Sequence, residues 1–384
     1  MMAQAFDISI IARGARVRRS AYFEATQKYG CKGYTVYNHM YLPNFYDDPV
    51  KEYWKLINDV TLWDVSVERI VEIKGPDGFA FTNMLTPRDL AKCRVGQAKY
   101  VLITAEDGGI INDPVLLRLD KDRFWLALAD SDVLLWAKAL ALGKKMNVEI
   151  GEPDVSPLQV QGPKSKPVMQ KLFGSVVAQL PYYYFVETNL DGIPVIVTRT
   201  GWTGEVGYEI FLCDGSRGVE LWERIMEAGK PHNIAPTGPS DIRRIEAGIL
   251  NWGADMTLAN NPYEVGLGWL VDVDKKADFI GKQALKRIKA NGVTRKLVGV
   301  EIAGEPIEFN MTRWKVSRDG VSIGYVTSAI HSPRLKRNVG YAMLPIEHAE
   351  LGTELVIAVP GSGDRPAEVV PKPFIDPKKE IPKS

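Results

Sequence analysis

Hydrophobic side chains recur at helical spacing in several separate segments of the chain. Between residues 49 and 59 they follow an i, i+3, i+4, i+7 pattern, Pro49 suits a first helical turn, and Asp47 or Asp48 can cap it. Other segments of similar character lead us to expect further helices at 132–142 (ending at Gly143), 167–173, 219–228 and 242–250.

Short apolar runs bounded by turn residues predict strands between these helices. After about residue 290 the pattern predicts strands only. The first group of predicted strands is 69–73, 100–104, 115–119, 124–129, 158–161, 182–187, 195–199 and 209–212. The second group is 296–302, 314–318, 321–326, 340–343 and 354–359. The mixed part is typical of α+β layers, and the last part of a small all-β domain, a barrel or a sandwich.

Both ends of the chain lack this periodicity. We expect the first forty residues to be irregular, with a basic run of Arg13, Arg16, Arg18 and Arg19. That run suits either a solvated arm or an arm that folds over a carboxylate-bearing ligand. The last dozen residues, rich in Pro and Lys, predict a surface tail.

Composition and charge narrow the class of protein. The 384 residues are 45% hydrophobic and 25% charged, and 48 basic against 47 acidic residues argue against a nucleic-acid binder. The three cysteines and four histidines form no close cluster, so we expect neither a disulfide scaffold nor a metal site. Because no apolar run is long enough to span a membrane and the N-terminus is a poor signal peptide, we expect a cytoplasmic protein.

A glycine-rich segment at 200–209 is the first candidate for ligand binding. Glycines at three positions permit close backbone approach, and the side chains that such a loop can present are Trp202, Glu205, Tyr208 and Glu209. Aromatic rings stack on a flat heteroaromatic ring, and a carboxylate accepts two N–H donors from its amidine edge. An ordinary glycine-rich hairpin loop with surface acids also suits the segment.

Two further segments are unspecific when taken alone. Residues 108–114 combine a Gly-Gly turn with Asn112 and Asp113, which ordinary turn chemistry explains. Residues 241–248 suit a helix with an Arg/Glu face, and 260–268 and 278–285 suit loop–helix elements.

Together, and in this order, these motifs resemble the folate-dependent glycine-cleavage T-protein (aminomethyltransferase) family, from about residue 34 to the end of the predicted barrel. The match rests on Arg199-Thr-Gly-Trp-Thr-Gly-Glu-Val-Gly-Tyr-Glu209, on Arg244-Ile-Glu-Ala-Gly248 and on residues 279–285. The resemblance implies an α+β, three-domain aminomethyltransferase-like ring with a C-terminal β-barrel. We expect a folate-binding domain from 1–50 plus 145–240, a second α+β domain at 51–144, connecting helices at 241–290 and the barrel at 291–384.

Within that family, several N-terminal motifs are most similar to tetrahydrofolate-dependent dimethylsulfoniopropionate demethylases, namely 33–43, 63–65, 84–90, 111–114, 129–132 and 160–164. The resemblance implies transfer of a methyl group from a small onium donor to N5 of tetrahydrofolate. It also implies that Glu209 grips the pterin and that Trp202 takes the place of the loop's aromatic residue. The expected cofactor-binding residues are Glu209, Trp202, Tyr208, Tyr100 and Asn112.

Three departures from the family pattern leave the donor open. Glycine-cleavage members carry Asp-Asp where this chain has Asn112-Asp113, and Ala-Arg-Asp where it has Pro239-Ser240-Asp241, so an arginine of the folate site is absent. Both argue against aminomethyl cleavage. The loop at 203–205 keeps the T-protein pattern instead of the Ser-Lys-Gln-Gly type expected of the demethylase, so the donor need not be the sulfonium itself.

Methyl transfer from an onium donor to N5 needs alignment of two reactants and no covalent enzyme nucleophile. Aromatic faces bind cations, and an arginine binds a carboxylate. The expected substrate-binding residues are therefore Tyr34, Tyr37, Arg19 and His39, with Tyr37 or His39 as proton donor if the donor were an aryl methyl ether. We expect Tyr37, Asp113 and Trp202 to be catalytic.

Other members of the same family remain open as alternatives. They are an aminomethyltransferase, an O- or N-demethylase, and a non-catalytic folate-binding assembly factor. The last is disfavoured because residues 276–283 lack the cysteine of those relatives. The expected partners are a small-molecule methyl donor but no nucleic acid and no membrane, in a monomer or homodimer.

Overall fold

Helices and strands alternate through most of the chain in the computed structural model, which describes residues 14–384. Arg13 of the basic run lies outside the described residues. The α-helices are Phe23–Lys28, Pro49–Asn58, Gly78–Leu85, Val133–Lys144, Ser165–Phe173, Ser175–Ala178, Gly218–Gly229, Asp241–Glu246 and Lys282–Asn291. None of those in the described part of the chain is long and apolar enough to cross a membrane.

A six-stranded sheet, called here the central sheet, carries the glycine-rich segment. Its spatial order is Phe185–Leu190, Ile193–Thr198, Gly207–Leu212, Ser156–Gln161, Val60–Asp64 and Ile234–Pro236, antiparallel except for the last pair. One face is apolar and packs with helices Ser165–Phe173 and Gly218–Gly229 into a core around Trp222. Because side chains alternate along a strand, polar residues of the same strands point to the opposite face.

A five-stranded antiparallel sheet, called here the second sheet, lies against that opposite face. Its order is Glu149–Gly151, Ile70–Lys74, Arg123–Ala127, Val115–Asp120 and Ala98–Tyr100. Helices Gly78–Leu85 and Val133–Lys144 cover its own core. The rings of Trp125 and Phe211, 6.3 Å apart, join the two sheets in a shared apolar cluster. A short hairpin, Ile103–Thr104 with Ile110–Asn112, follows the last strand.

The C-terminal strands close into a six-stranded barrel, which confirms the predicted β-barrel. Their order is Arg295–Ile302, Arg337–Pro345, Val321–Ser332, Trp314–Arg318, Glu354–Val359 and Gly363–Val370. The first and last of these pair antiparallel and complete the closure. The hydroxyl of Tyr341 donates to the carbonyl of Ile245 at 2.7 Å, which ties the barrel to helix Asp241–Glu246.

Within the described residues, the expectation of an irregular segment up to residue 40 is wrong from Phe23 onward. Helix Phe23–Lys28 is followed by a hairpin of Gly33–Tyr37 and Met40–Phe45. Its two turn residues, Asn38 and His39, have φ of 48° and 62°, as the tight two-residue hairpin turn requires. The Asn38 amide donates to the carbonyls of Val67 and Ala129, both at 2.9 Å, so tertiary contacts fix this hairpin.

Three other expectations need correction. The helix expected to end at Gly143 continues to Lys144, because Lys145 and not Gly143 takes the left-handed conformation, with φ of 54°. The helix expected at 242–250 ends at Glu246, two residues before Gly248 with φ of 70°. The strand Gly363–Val370, which closes the barrel, was not predicted because its polar and apolar residues alternate only weakly.

A buried lysine joins two distant loops beside the second sheet. The Lys275 ammonium donates to the carbonyls of Asn83, Thr86 and Arg88 at 2.6, 2.8 and 3.2 Å. Burial lowers the pKa of Lys275 to about 8. Its acceptors within the described part of the chain are carbonyl oxygens, so carbonyl dipoles stabilise the charge.

We expect Lys275→Met to lower the free energy of unfolding by about 3 kcal/mol, because three buried carbonyls lose their donor. Urea titration followed by circular dichroism measures this change. The matched control is Lys276→Met, since the neighbouring Lys276 is exposed. Equal stabilities of the two variants would show that the buried contacts of Lys275 contribute little.

Candidate active site

A row of polar side chains crosses the central sheet on the face away from its helices. Gln159, Glu209 and Thr198 lie opposite one another on three adjacent strands. One oxygen of Glu209 accepts from the Gln159 amide at 2.7 Å. The other accepts from the hydroxyls of Thr200 and, at 3.4 Å, Thr198. The close contacts from Gln159 and Thr200 occupy one lone pair on each oxygen, and the Thr198 hydroxyl can donate to that of Thr200 instead. One lone pair on each carboxylate oxygen then remains for a further pair of donors.

Two acids flank the Gln159 amide, and their environments differ. Burial raises the pKa of Glu209, and the bonds from Thr200 and Gln159 pull it back. Burial also raises the pKa of Glu68, with the nearby Glu209 adding to the effect, and its contact with the Gln159 amide is a long one of 3.4 Å. Burial therefore disfavours the charged form of both acids, and of the two it is Glu209 whose close hydrogen bonds stabilise that form. Within residues 14–384 the buried Gln159 Oε1 has no hydrogen-bond partner.

Asp113 forms a second polar centre at the edge of the second sheet. Its Oδ2 accepts from the Tyr100 hydroxyl at 2.8 Å, whereas the buried Oδ1 has no partner among the described residues. Burial raises the pKa of Asp113 to about 7 despite the Tyr100 bond. Burial, together with the charges of Asp113 and Glu68, raises the pKa of Tyr37 well above its usual value. The structure thus brings Tyr37, Tyr100 and Asp113 together near Glu68.

The Asn112 amide holds a loop in place. It accepts from the Ala129 amide at 3.0 Å and donates to the Ala129 carbonyl at 2.9 Å and to the Ser131 hydroxyl at 2.8 Å. Asn38 of the N-terminal hairpin binds the same Ala129 carbonyl. Both asparagines therefore hold this loop, and the Asn112 amide, predicted to contact the cofactor, uses its NH₂ group for that purpose.

Two tyrosines that the sequence did not single out border Glu209. The rings of Tyr182 and Tyr183 meet edge to face at 4.8 Å, and Tyr183 has φ of 64°, which is strained for a bulky residue. Burial raises the pKa of Tyr182 to about 12, with Glu209 contributing, and that of Tyr183 further. Arg88 is close enough to Tyr183 for an electrostatic interaction, and burial lowers the pKa of Arg88. In the sequence, the run of three tyrosines at 182–184 is the feature that could have pointed to this pair.

Trp202 lies at one end of the polar row. It packs against the apolar cluster of Leu56, Trp63 and Val65. The Arg244 guanidinium carbon lies 5.6 Å from the centroid of the Trp202 ring. Trp63 is the cross-strand partner of Gln159. The next acid in the loop, Glu205, is paired within the protein, because its carboxylate accepts from the buried Arg243 at 2.7 Å.

Four predicted site residues have other contacts. Tyr208 points to the helix-covered face, fully buried, and its hydroxyl donates to the Ala178 carbonyl at 2.6 Å, so it does not share a face with Glu209. The Tyr34 hydroxyl bonds Thr26 at 2.7 Å. Two exposed residues contact acids at the surface, with Arg19 3.4 Å from Glu24 and His39 4.0 Å from Asp132.

Within residues 14–384 no group of three or more His, Cys, Asp or Glu side chains could hold a metal ion.

Comparison with known proteins assigns most of the chain to two family domains. Residues 22–275 match the GCVT N-terminal domain, and residues 295–376 match the glycine cleavage T-protein C-terminal barrel domain. The dimethylsulfoniopropionate demethylase DmdA of Ruegeria pomeroyi is 38% identical over 354 residues, which cover 92% of this chain and 96% of that protein.

Aminomethyltransferases are similar over the same length. That of Halalkalibacterium halodurans is 33% identical over 364 residues, covering 93% of this chain and 98% of the relative. The crystal structure of the glycine cleavage system aminomethyltransferase T from Bartonella henselae superposes with a TM-score of 0.83 at 25% identity, covering 94% and 98% of the two chains. The chain therefore belongs to the glycine cleavage T-protein family.

Proposed function

We propose that this protein is a tetrahydrofolate-dependent methyltransferase that demethylates a small onium donor, dimethylsulfoniopropionate or a similar compound, and forms 5-methyltetrahydrofolate. The observation that carries the proposal is the buried carboxylate of Glu209, which Gln159 and Thr200 hold at one oxygen each. The similarity to the demethylase of Ruegeria pomeroyi supports the choice of donor.

The polar row suits the pterin of tetrahydrofolate. The 2-amino group and N3 of a pterin are adjacent N–H donors, which a carboxylate such as Glu209 accepts as a pair. The unpartnered Oε1 of Gln159 supplies one more buried acceptor. The rings of Tyr182 and Tyr183 border Glu209, and Trp202 closes the end of the row. A flat ring with an amidine edge therefore fits the residues present.

The surroundings of Tyr37 favour a cationic donor. The titratable groups that act on its hydroxyl are Asp113, Glu68 and Asp130, all of them acids. An aromatic ring beside acids attracts an onium group by its face and by Coulomb interaction. Tyr37 is therefore the residue that we propose to hold the donor. Arg19 forms an ion pair at the surface, and we no longer assign it to the donor site.

The chemistry requires positioning and one proton acceptor. Tetrahydrofolate supplies the N5 lone pair that accepts the methyl group, and the donor leaves as a neutral thioether or amine. Glu209 and Gln159 orient the ring edge, and the aromatic residues exclude water. Since N5 carries a proton before the transfer, a base must remove it, and the unpartnered Oδ1 of Asp113 is the atom suited to that task. The Tyr100 hydroxyl fixes the carboxylate through Oδ2.

The product identifies the reaction. We expect the purified protein, incubated with tetrahydrofolate and a panel of sulfonium, betaine and methoxyaryl donors, to form 5-methyltetrahydrofolate with the onium donors. Chromatography with mass detection separates this product from 5,10-methylenetetrahydrofolate. Formation of the methylene product from an aminomethyl donor, with no 5-methyl product from any donor, would contradict the proposal.

An aminomethyltransferase is the second candidate, supported by the 33% identity to such enzymes and by the glycine loop at 203–205. Asn112 argues against it, because its amide is used to hold the loop at Ala129 and a second carboxylate is missing there. A cytoplasmic location, a monomer or homodimer, and the domain division given above complete the proposal and rest on the sequence alone.

A further inference from the structure

The C-terminal segment 375–384, called here the tail, is folded against the site, which corrects the expectation of a surface tail. The Ile375 amide donates to the Glu246 carbonyl at 2.9 Å, and the Lys379 ammonium donates to the carbonyl of Ala247. The Asp376 carboxylate accepts from the amides of Glu380 and Ile381 at 2.9 and 2.8 Å, which sets the turn before the last residues. The tail is therefore tied to helix Asp241–Glu246.

The tail ends on the buried guanidinium of Arg199. Arg199 is 2% exposed, and it donates to the Pro382 carbonyl at 2.8 Å, to a Ser384 oxygen at 2.6 Å and to the Gly207 carbonyl at 3.2 Å. Its guanidinium carbon also lies 5.1 Å from the centroid of the Tyr208 ring. These three acceptors are all backbone oxygens. Oxygens of the tail thus provide two of its three acceptors.

Arg199 is placed so that its position affects Glu209. Its chain neighbours, Thr198 and Thr200, carry the two hydroxyls that Glu209 accepts from. Its backbone donates to the Tyr184 carbonyl at 2.9 Å and accepts from the Tyr183 amide at 3.0 Å. One buried arginine therefore connects the tail, the glycine-rich loop and the tyrosine pair.

We propose that the tail is a positioning strap, which holds Arg199 and through it sets the Thr198 and Thr200 hydroxyls on Glu209, so that affinity for the ligand of Glu209 depends on the tail. The nature of that ligand, tetrahydrofolate, rests on the proposed function. Without the tail, the guanidinium loses two acceptors and turns toward water, because an unpaired buried charge is costly. The residues on either side of Arg199 then lose their fixed geometry.

The test compares the full chain with a chain that ends at Ile375, which keeps the first contact of the tail. We expect the dissociation constant for tetrahydrofolate, measured by calorimetry under anaerobic conditions, to rise by about tenfold or more, which corresponds to about 1.4 kcal/mol. The matched control is Lys378→Ala in the full chain, since this tail side chain is exposed. We expect this control to bind tetrahydrofolate like the unchanged protein.

Arg199→Lys in the full chain tests the route of the effect. A lysine keeps the charge but cannot span the three acceptors that the planar guanidinium reaches. If the tail acts through Arg199, the substitution and the truncation weaken binding by less in combination than the product of their separate effects. Effects that multiply fully would overturn the route through Arg199. If the truncated chain fails to fold, two substitutions in the full chain replace it, Arg199→Lys and Lys379→Met. We expect each of them to raise the dissociation constant for tetrahydrofolate.

The pH dependence of tetrahydrofolate binding distinguishes two explanations for weaker binding by the truncated chain. One is a change in the groups that surround Glu209, and the other is a smaller amount of folded protein. The Thr200 and Thr198 bonds lower the pKa of Glu209, so a loosened loop lets that pKa rise. We expect the pH at which half the affinity is lost to move upward in the truncated chain. An unchanged affinity and midpoint would overturn the strap, whereas a full chain that does not bind tetrahydrofolate would overturn the proposed function itself.

Discussion

Glu209→Gln is expected to weaken tetrahydrofolate binding by about a hundredfold or more and to leave the fold intact. The substitution replaces a charged acceptor of paired N–H donors with an amide that presents one acceptor and one opposing donor. Hydrogen bonds to a charged group contribute about 1.5–3 kcal/mol each, and the pterin edge would lose two of them. Calorimetric titration with tetrahydrofolate measures the loss, and circular dichroism with thermal unfolding checks the fold.

The matched control for this substitution is Glu187→Gln. Glu187 lies on an edge strand of the same sheet, and its side chain is exposed. We expect the control variant to bind tetrahydrofolate as the unchanged protein does. Equal dissociation constants for Glu209→Gln and the unchanged protein would show that Glu209 does not contact the ligand.

Asp113→Asn is expected to lower turnover by about a hundredfold to ten-thousandfold, the usual contribution of a general base. The amide still accepts from the Tyr100 hydroxyl but cannot take up a proton. Steady-state rates of 5-methyltetrahydrofolate formation measure the loss. Tetrahydrofolate affinity is expected to change far less than in Glu209→Gln, because Asp113 acts on the proton of N5 and not on the pterin edge.

The dependence of kcat/KM on pH shows which form of Asp113, ionised or protonated, is active. With the pKa of Asp113 near 7, the carboxylate is ionised and able to accept a proton above that pH. We expect kcat/KM to rise about tenfold per pH unit below 7 and to level off above it. In Asp113→Asn this rise should disappear.

Asp120→Asn serves as the control, since Asp120 ends the strand that follows Asp113 and is exposed. We expect it to keep both the rate and the rise with pH. An Asp113→Asn variant that retained the pH profile of the unchanged protein would assign the base to another group.

The local pattern of the sequence predicted the elements whose hydrophobic spacing is regular. Helix Pro49–Asn58 forms as expected because its cap, its proline and its apolar stripe agree, and the Asp48 side chain accepts from the amides of Val50 and Lys51. The barrel followed from a run of short strands without helices. The N-terminal hairpin escaped prediction, because the contacts that hold Asn38 come from Val67 and Ala129, far along the chain.

The candidate site was predictable only in part. The glycine-rich segment and Glu209 stand out in the sequence, whereas Gln159 and Glu68 carry no local signal. The bond between Gln159 and Glu209 joins residues 50 positions apart and depends on the register of two strands. Tyr208, by contrast, is next to Glu209 in the sequence, but its side chain points to the other face of the sheet.

The sequence by itself determined the α+β fold class, the C-terminal barrel and the loop that carries Glu209, because periodicity and motif spacing are local properties. Only the tertiary structure decided which side chains share a face. It placed Gln159 and Thr200 on Glu209 and brought the tail onto Arg199, and among residues 14–384 it left one oxygen of Asp113 without a partner. The physical reason is that strand order, register and burial set both the hydrogen-bond partners and the charge of a buried acid.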